Sequence, residues 1–340
     1  MTDVSTALRF SADIRRELTV FRALQIKTAI AGVLLAGSTC AAHAQSYPTK
    51  PLKFVTSEVG GGSDFVARLI ASGLASGLGQ PIVVDNRAGG VIPGEVVTRA
   101  PADGYTLLVY GGAFWLAPLL QDKMPYDVVR DFTPIILLAT SPNILVVNPS
   151  MPVRSVSELI ALAKRKPGEL NYSAAGIASS GNLAAELFNA MAAVNIVRIN
   201  YKGTGAAVND LISGQVQLSF ANAAAGMMHV RAGRLRAIAV TSAQPTALAP
   251  GLPTVTSSGL PGYEAVSILG IFAPARTPAP ILNRLNQEMV RVLTSADVKD
   301  KLFTAGSEVV ASTPEQLAAT VTSEMARMGK VLRDAGIREE

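Results

Sequence analysis

Two glycine- and serine-rich turns carry the most specific chemistry in this chain, each between an apolar strand-like run and an amphipathic stretch. In the first, Leu52-Lys53-Phe54-Val55-Thr56 runs through Gly60-Gly61-Gly62-Ser63-Asp64 into Phe65-Val66-Ala67-Arg68-Leu69-Ile70. In the second, Leu170-Asn171-Tyr172-Ser173 runs through Gly176 and Ser179-Ser180-Gly181 into Leu183-Ala184-Ala185-Glu186-Leu187-Phe188. A helix start has N–H groups without intrahelical partners; with a few hydroxyls they favour an anion, usually a phosphate or carboxylate. Glycine keeps a Cβ out of the way of a ligand approaching the backbone. Two such turns, about a hundred residues apart, fit two lobes that close on one small acid. Ordinary βα turns of an α/β fold use the same residues merely to fit, and the turns alone do not separate these readings.

Other chemistries lack their residues. Beyond residue 44 there is no cysteine and one histidine, His229. Cysteine-based zinc sites, thiol catalysis and iron–sulfur clusters are therefore excluded. A Ser-His-acid hydrolase would have to use His229, in a segment that reads as a surface helix end, and no G-x-S-x-G elbow occurs. There is no Walker lysine motif and no full G-x-G-x-x-G; Gly203-Thr204-Gly205 is too short a match. We expect no enzyme, no cofactor and no metal.

The N-terminus has the order of a secretory signal. Arg22 and Lys27 precede the apolar run from Thr28 to Gly37, and Ala41-Ala42-His43-Ala44 supplies an A-x-A cleavage site after Ala44. The run is too short to span a bilayer. Cys40 follows Gly37-Ser38-Thr39, a poor lipoprotein site, and reads as a discarded signal residue. Removing 44 of 340 residues leaves 296, a length that favours two lobes. It also removes five Lys/Arg of 30 and three acids of 25, leaving a net charge of +3. With no Lys/Arg run and few aromatics, nucleic-acid binding has little support.

Strand-like runs alternate with helical patterns throughout, which indicates an α/β fold with a largely parallel sheet. Strands are expected at 52–56, 82–85, 106–110, 144–148, 170–173, 196–199, 218–221, 236–240 and 267–273, with helices at 64–78, 91–99, 157–166, 180–194, 205–213, 280–294 and 314–334. Ser155-Val156-Ser157-Glu158 is a capping-box pattern. The extended run from Ile135 to Asn148 is broken by Ser141-Pro142, and a second extended run covers Ser267 to Ala273. Crossings between lobes are placed near 140–148 and 262–270. The expected domains are then a signal at 1–44, lobe 1 at 45–145 plus 267–340, and lobe 2 at 146–266.

Motifs along nearly the whole chain resemble the Bug family, the extracytoplasmic solute receptors of tripartite tricarboxylate transporters. They include Tyr47-Pro48-Thr49-Lys50-Pro51, the Gly60–Arg68 turn, Leu78-Gly79-Gln80-Pro81 through Asn86-Arg87, and Pro101-Ala102-Asp103-Gly104-Tyr105. Further on are Lys166-Pro167-Gly168-Glu169-Leu170-Asn171-Tyr172, Tyr201-Lys202-Gly203, Leu252-Pro253-Thr254-Val255, Ser258-Gly259-Leu260-Pro261-Gly262-Tyr263 and Phe272-Ala273-Pro274. The resemblance implies a two-lobed periplasmic binding protein of Venus-flytrap, type II-like form, with a mostly parallel sheet in each lobe. It implies a small organic acid as ligand, held by main-chain N–H groups, hydroxyls and waters. The loaded form would dock on membrane permease subunits, and a monomer is expected. The turns and the resemblance together put Ser57, Glu58, Gly60, Gly61, Ser63, Asp64, Gly112, Phe114, Ala175, Gly176, Ser179, Ser180, Asn182, Tyr201, Lys202 and Asn222 at the ligand.

The departures from the family concern the ligand. The first loop usually reads P-F-P-P-G-G or P-Y-A-P-G-G; here it is Thr56-Ser57-Glu58-Val59-Gly60-Gly61. An inward Glu58 would repel a carboxylate or recruit a cationic group, whereas an outward one is a lip residue. The usual hydroxyl cluster after the third strand is replaced by Gly111-Gly112-Ala113-Phe114-Trp115, so either a bulkier acid is bound or both aromatics pack inside. Asn182 stands where histidine is common, and Ile268 where tryptophan is common. A sensor passing its closed form to a membrane histidine kinase would use the same site and is the alternative. Sequencing of the exported product should find Gln45 as its first residue. A product beginning before residue 40, or retained in the membrane through Cys40, would overturn the signal assignment.

Overall fold

The computed structural model describes residues 47–57, 59–88, 90–121, 123–174, 179–201 and 204–334. Its first strands form where apolar residues cluster between turn signals. β1 (Leu52–Thr56) lies between β2 (Ile82–Asn86) and β3 (Thr106–Gly111), all parallel. Parallel neighbours need crossovers, supplied by α1 (Gly62–Leu78) and α2 (Ile92–Thr98). In α1, Val66, Ile70, Leu74 and Leu78 are buried at helical spacing, and Gly79 closes the helix in the left-handed region at φ 66°.

After α3 (Gly112–Leu120) comes β4 (Phe132–Val147), a sixteen-residue strand. A second parallel trio follows: β5 (Asn171–Ala174) between β6 (Val197–Asn200) and β7 (Leu218–Asn222). Its helices are α4 (Val156–Arg165), α5 (Ser180–Ala192), α6 (Thr204–Ser213) and α7 (Ala223–Arg231). In α4 the cap is Ser155 Oγ, which accepts from the Glu158 N–H at 3.2 Å. The Glu158 carboxylate reaches back to the N–H of Arg154 at 2.6 Å. The chain then adds β8 (Arg236–Val240), β9 (Val266–Pro274), α8 (Ala279–Leu293), α9 (Ala296–Thr304), β10 (Glu308–Val309) and α10 (Pro314–Asp334).

The strand order is β2-β1-β3-β9-β4-β7-β5-β6, with β8 and β10 also paired to β4. The parallel trios are thus joined through antiparallel strands. From Phe132 to Pro142, β4 pairs with β9; from Asn143 to Val147 it pairs with β7. The expected break at Ser141-Pro142 is therefore not a break. The strand runs straight through, and proline, which lacks an N–H donor, stands where the pairing changes partner.

Three helices, α3, α7 and α9, were not expected from the sequence. α3 is apolar on all sides, with Phe114, Trp115, Leu116 and Ala117 buried; such a helix gives no stripe because every face meets protein. The second trio packs tightly at α5. A Cβ added to Gly181 would lie 2.4 Å from the Phe220 carbonyl oxygen of β7, so this glycine serves close packing. Gly181→Ala should lower the unfolding free energy by about 1–3 kcal/mol. The readout is a reduced denaturant midpoint at unchanged slope; an unchanged midpoint would refute the contact.

Candidate functional site

Three helix starts meet at one cavity of about 320 Å³. Ser63 comes from the first turn of α1, Gly112 and Ala113 from that of α3, and Ser180 from that of α5. Ser57 follows β1 and Ser267 lies in β9, so hydroxyls reach the cavity from several elements. Each helix start favours negative charge by about 0.3–1 kcal/mol at exposed positions. Leu116, Leu183, Val266, Ile268 and Met328 supply an apolar lining. A volume near 320 Å³ is at the small end of ligand sites, which run from about 300 to 1,000 Å³.

Asp64 builds the first turn from below. It is only 3% exposed. Its Oδ2 accepts from the Gly60 N–H at 2.9 Å, and its Oδ1 accepts from Arg68 Nε at 2.9 Å and Asn86 Nδ2 at 2.8 Å. Asn86 Nδ2 also donates to the Ser57 carbonyl at 2.8 Å, tying the loop to β2. Burial pushes the Asp64 carboxyl up, but its bonds to Gly60, Arg68 and Asn86 outweigh this and hold it below its ordinary 3.8. Gly60 sits at φ +81°, a conformation that L side chains avoid.

Several expected site residues are engaged elsewhere. Phe114 is fully buried in an aromatic cluster with Tyr126, Phe132 and Phe272, at centroid distances of 5.4, 4.6 and 5.0 Å. It is a core residue, because the helix turns that face inward. Asn182 is also fully buried and accepts from the Tyr172 hydroxyl at 2.7 Å. Tyr201 donates to Asp210 Oδ2 at 2.8 Å, burial and that carboxylate raising its pKa. Asn222 caps α7 through the Ala224 N–H at 3.1 Å. Ser179 caps α5, accepting from the Asn182 N–H at 3.3 Å. None of these five, nor Asp64, lines the cavity, nor do Gly60 and Gly61. Glu58, Ala175, Gly176 and Lys202 lie outside the described residues.

The sequence reading missed one whole wall. Glu324, Arg327 and Met328 of α10 line the cavity, although more than 250 residues separate them from the first turn. Trp115 Nε1 donates to Glu324 Oε2 at 2.7 Å. Arg327 Nη2 lies 3.9 Å from Glu324 Oε1, and Arg327 Nη1 donates to the Glu264 carbonyl. Burial raises the Glu324 pKa above its ordinary 4.5; Trp115 and Arg327 work against that rise. The helix 314–334 was visible in the sequence, but nothing local marks which of its faces meets a cavity.

This is the architecture of the periplasmic binding proteins, with helix starts and hydroxyls collected at a cavity. The family described as tripartite tricarboxylate transporter family receptor matches residues 66–337, and the chain belongs to it. Protein BugT of Bordetella pertussis is 34% identical over 320 residues, 91% of this chain and 97% of that one. R. palustris Rpa4515 with adipate is 37% identical, with a TM-score of 0.71 over 86% of this chain and 99% of that one. MatC (Rpa3494) from Rhodopseudomonas palustris, with bound malate, is 31% identical, with a TM-score of 0.70 over 84% of this chain and 100% of that one.

Asp64→Asn should cost about 1.5–3 kcal/mol, the range for hydrogen bonds to a charged group. A carboxyl lowered by folding stabilises the protein above its unfolded pKa, and that stabilisation fades as pH falls through the folded value. The gap between the two proteins should therefore be full at neutral pH and close in acid below about 3.8. Urea titrations across that range check it; a gap independent of pH would show that Asp64 is not ionised in the native state.

Proposed function

We propose that this protein is a periplasmic receptor that captures a small organic acid between two lobes and delivers it to a tripartite tricarboxylate-type membrane transporter. The observation that carries this reading is the convergence of the α1, α3 and α5 starts, with their serines, on one cavity. Solved relatives with adipate and malate support an organic acid. The lobes are residues 45–145 with 267–340, and residues 146–266, supported by the change of β4 partners between Pro142 and Asn143. The segment 1–44 would direct export and be removed, leaving a monomer. No helix among the described residues is long and apolar enough to cross a membrane.

Within this reading, main-chain N–H groups and hydroxyls bind a carboxylate without a fixed counter-charge. Such donors are already in place before the ligand arrives, so little ordering entropy is lost on binding. Capture and release by such a receptor require no bond to be broken.

A thermal-shift screen of the chain from residue 45 against small organic acids tests the proposal. A ligand at a hundred times its dissociation constant should add about 2.7 kcal/mol of stability. For any acid found, Ser180→Ala and Ser63→Ala should each weaken binding by about 1–3 kcal/mol where the lost hydrogen bond is not replaced. Full affinity in both variants would move the site away from this cavity.

A further inference from the structure

The wall contributed by α10 holds a charged pair that packing alone does not call for. Glu324 and Arg327 are three residues apart and therefore on one face of the helix, and both line the cavity. Glu324 is 9% exposed, and its Oε2 is fixed by Trp115 Nε1 of α3 at 2.7 Å. The Arg327 side chain is 32% exposed. Its guanidinium is steadied by the Glu264 carbonyl and by Glu324 Oε1 at 3.9 Å.

An ion pair with one partner buried and the other part-exposed contributes little net stability, because desolvation and screening offset the attraction; an apolar pair would join α3 to α10 as well. A guanidinium has five N–H donors in a rigid fork matched to a carboxylate. The Glu264 carbonyl takes one of them, and 3.9 Å to Glu324 is longer than a hydrogen bond. Donors therefore remain for a group inside the cavity. Arg327 is the one Lys or Arg among the described lining residues, whereas the helix starts and serines already provide for one carboxylate.

We propose that Arg327 determines specificity, pairing with a second anionic head of the ligand, and that Glu324, held by Trp115, positions it. This rests on the acid-receptor reading above and adds the prediction that acids with an apolar tail are discriminated against by this one side chain. The glycine turns recognise that an acid is present; Arg327 recognises what stands at its other end.

Calorimetry with length-matched probes, adipate against hexanoate and glutarate against pentanoate, tests this on the chain from residue 45. The wild type should prefer the dicarboxylate of each pair by at least tenfold. Arg327→Gln should lower dicarboxylate affinity at least tenfold and leave the monocarboxylate within twofold. Arg327→Lys should recover part of the loss, since a cation is restored without the fork. Trp115→Phe, which removes the Nε1 donor and keeps an aromatic ring, should reduce the preference while hexanoate binding holds. A melting curve for each variant shows that it folds. Equal losses for both acids in Arg327→Gln, no loss for either, or a wild type that prefers the monocarboxylates would each overturn the role of Arg327 while leaving the receptor reading intact. Should no acid of either class bind the wild type, the receptor reading falls, and this inference with it.

Discussion

The structure depends on one strand serving two sets of partners. β4 pairs with β9 up to Pro142 and with β7 from Asn143 onward. A backbone can do this only where its donors and acceptors on each side are taken up in turn, since an unpaired buried polar group costs free energy. The side chains agree with that demand: Ile135, Ile136, Leu138, Ile144, Leu145, Val146 and Val147 are all buried to 1% exposure or less. Such a strand is covered on both faces, and α7, α8 and α10 pack against it. The parallel trios β2-β1-β3 and β7-β5-β6 lie to either side of the β9-β4 pair, and the helices that join their strands begin at turns beyond the strand ends.

That arrangement explains why the anion-favouring ends of α1, α3 and α5 gather at one place. In an open α/β sheet, ligands bind outside the carboxyl ends of the strands, where connections diverge. α3 follows β3 directly, and Ser63 and Ser180 sit in the first turns of α1 and α5, the helices that follow β1 and β5. The buried Asp64 ensures that the first turn keeps its shape, so the cavity walls are set by hydrogen bonds below the surface. Preorganised donors of this kind lose little freedom when an anion arrives, which is how neutral groups can hold a charged ligand.

α10 completes the cavity. It packs against α3 and α5, helices attached to different parallel trios, as well as against β4. It also carries Glu324 and Arg327, the charged residues among the described cavity lining. Glu324 and Trp115 form the bond between α10 and α3, while the Tyr263 hydroxyl donates to the Ala184 carbonyl of α5 at 2.8 Å. The charged wall and the segment before β9 are thus joined to the same helices whose N-termini open on the cavity.

Local rules were enough for much of this. Most of the expected strands and helices follow from hydrophobic periods within a few residues, and α10 begins at Pro314 and ends at Asp334 in both readings; the strand expected at 144–148 begins instead at Phe132, and α3, α7 and α9 were not expected. The two glycine turns also announce themselves locally, because a helix start needs only its own flanking residues. Tertiary structure alone decided what those residues face. Phe114 was expected at a ligand and is in the core, since α3 is surrounded by protein and gives no stripe to orient it. Asn182 stands beside the second turn in sequence, and Tyr201 and Asn222 follow or end strands, yet all three commit polar atoms to Tyr172, Asp210 and the α7 N-terminus. Arg327 could not be found at all without the tertiary packing, which lays the last helix against β4, a strand that ends more than 160 residues earlier. Periodicity reports which side of an element is buried, but only the packed chain determines whether a polar side chain meets a ligand, a neighbour or water.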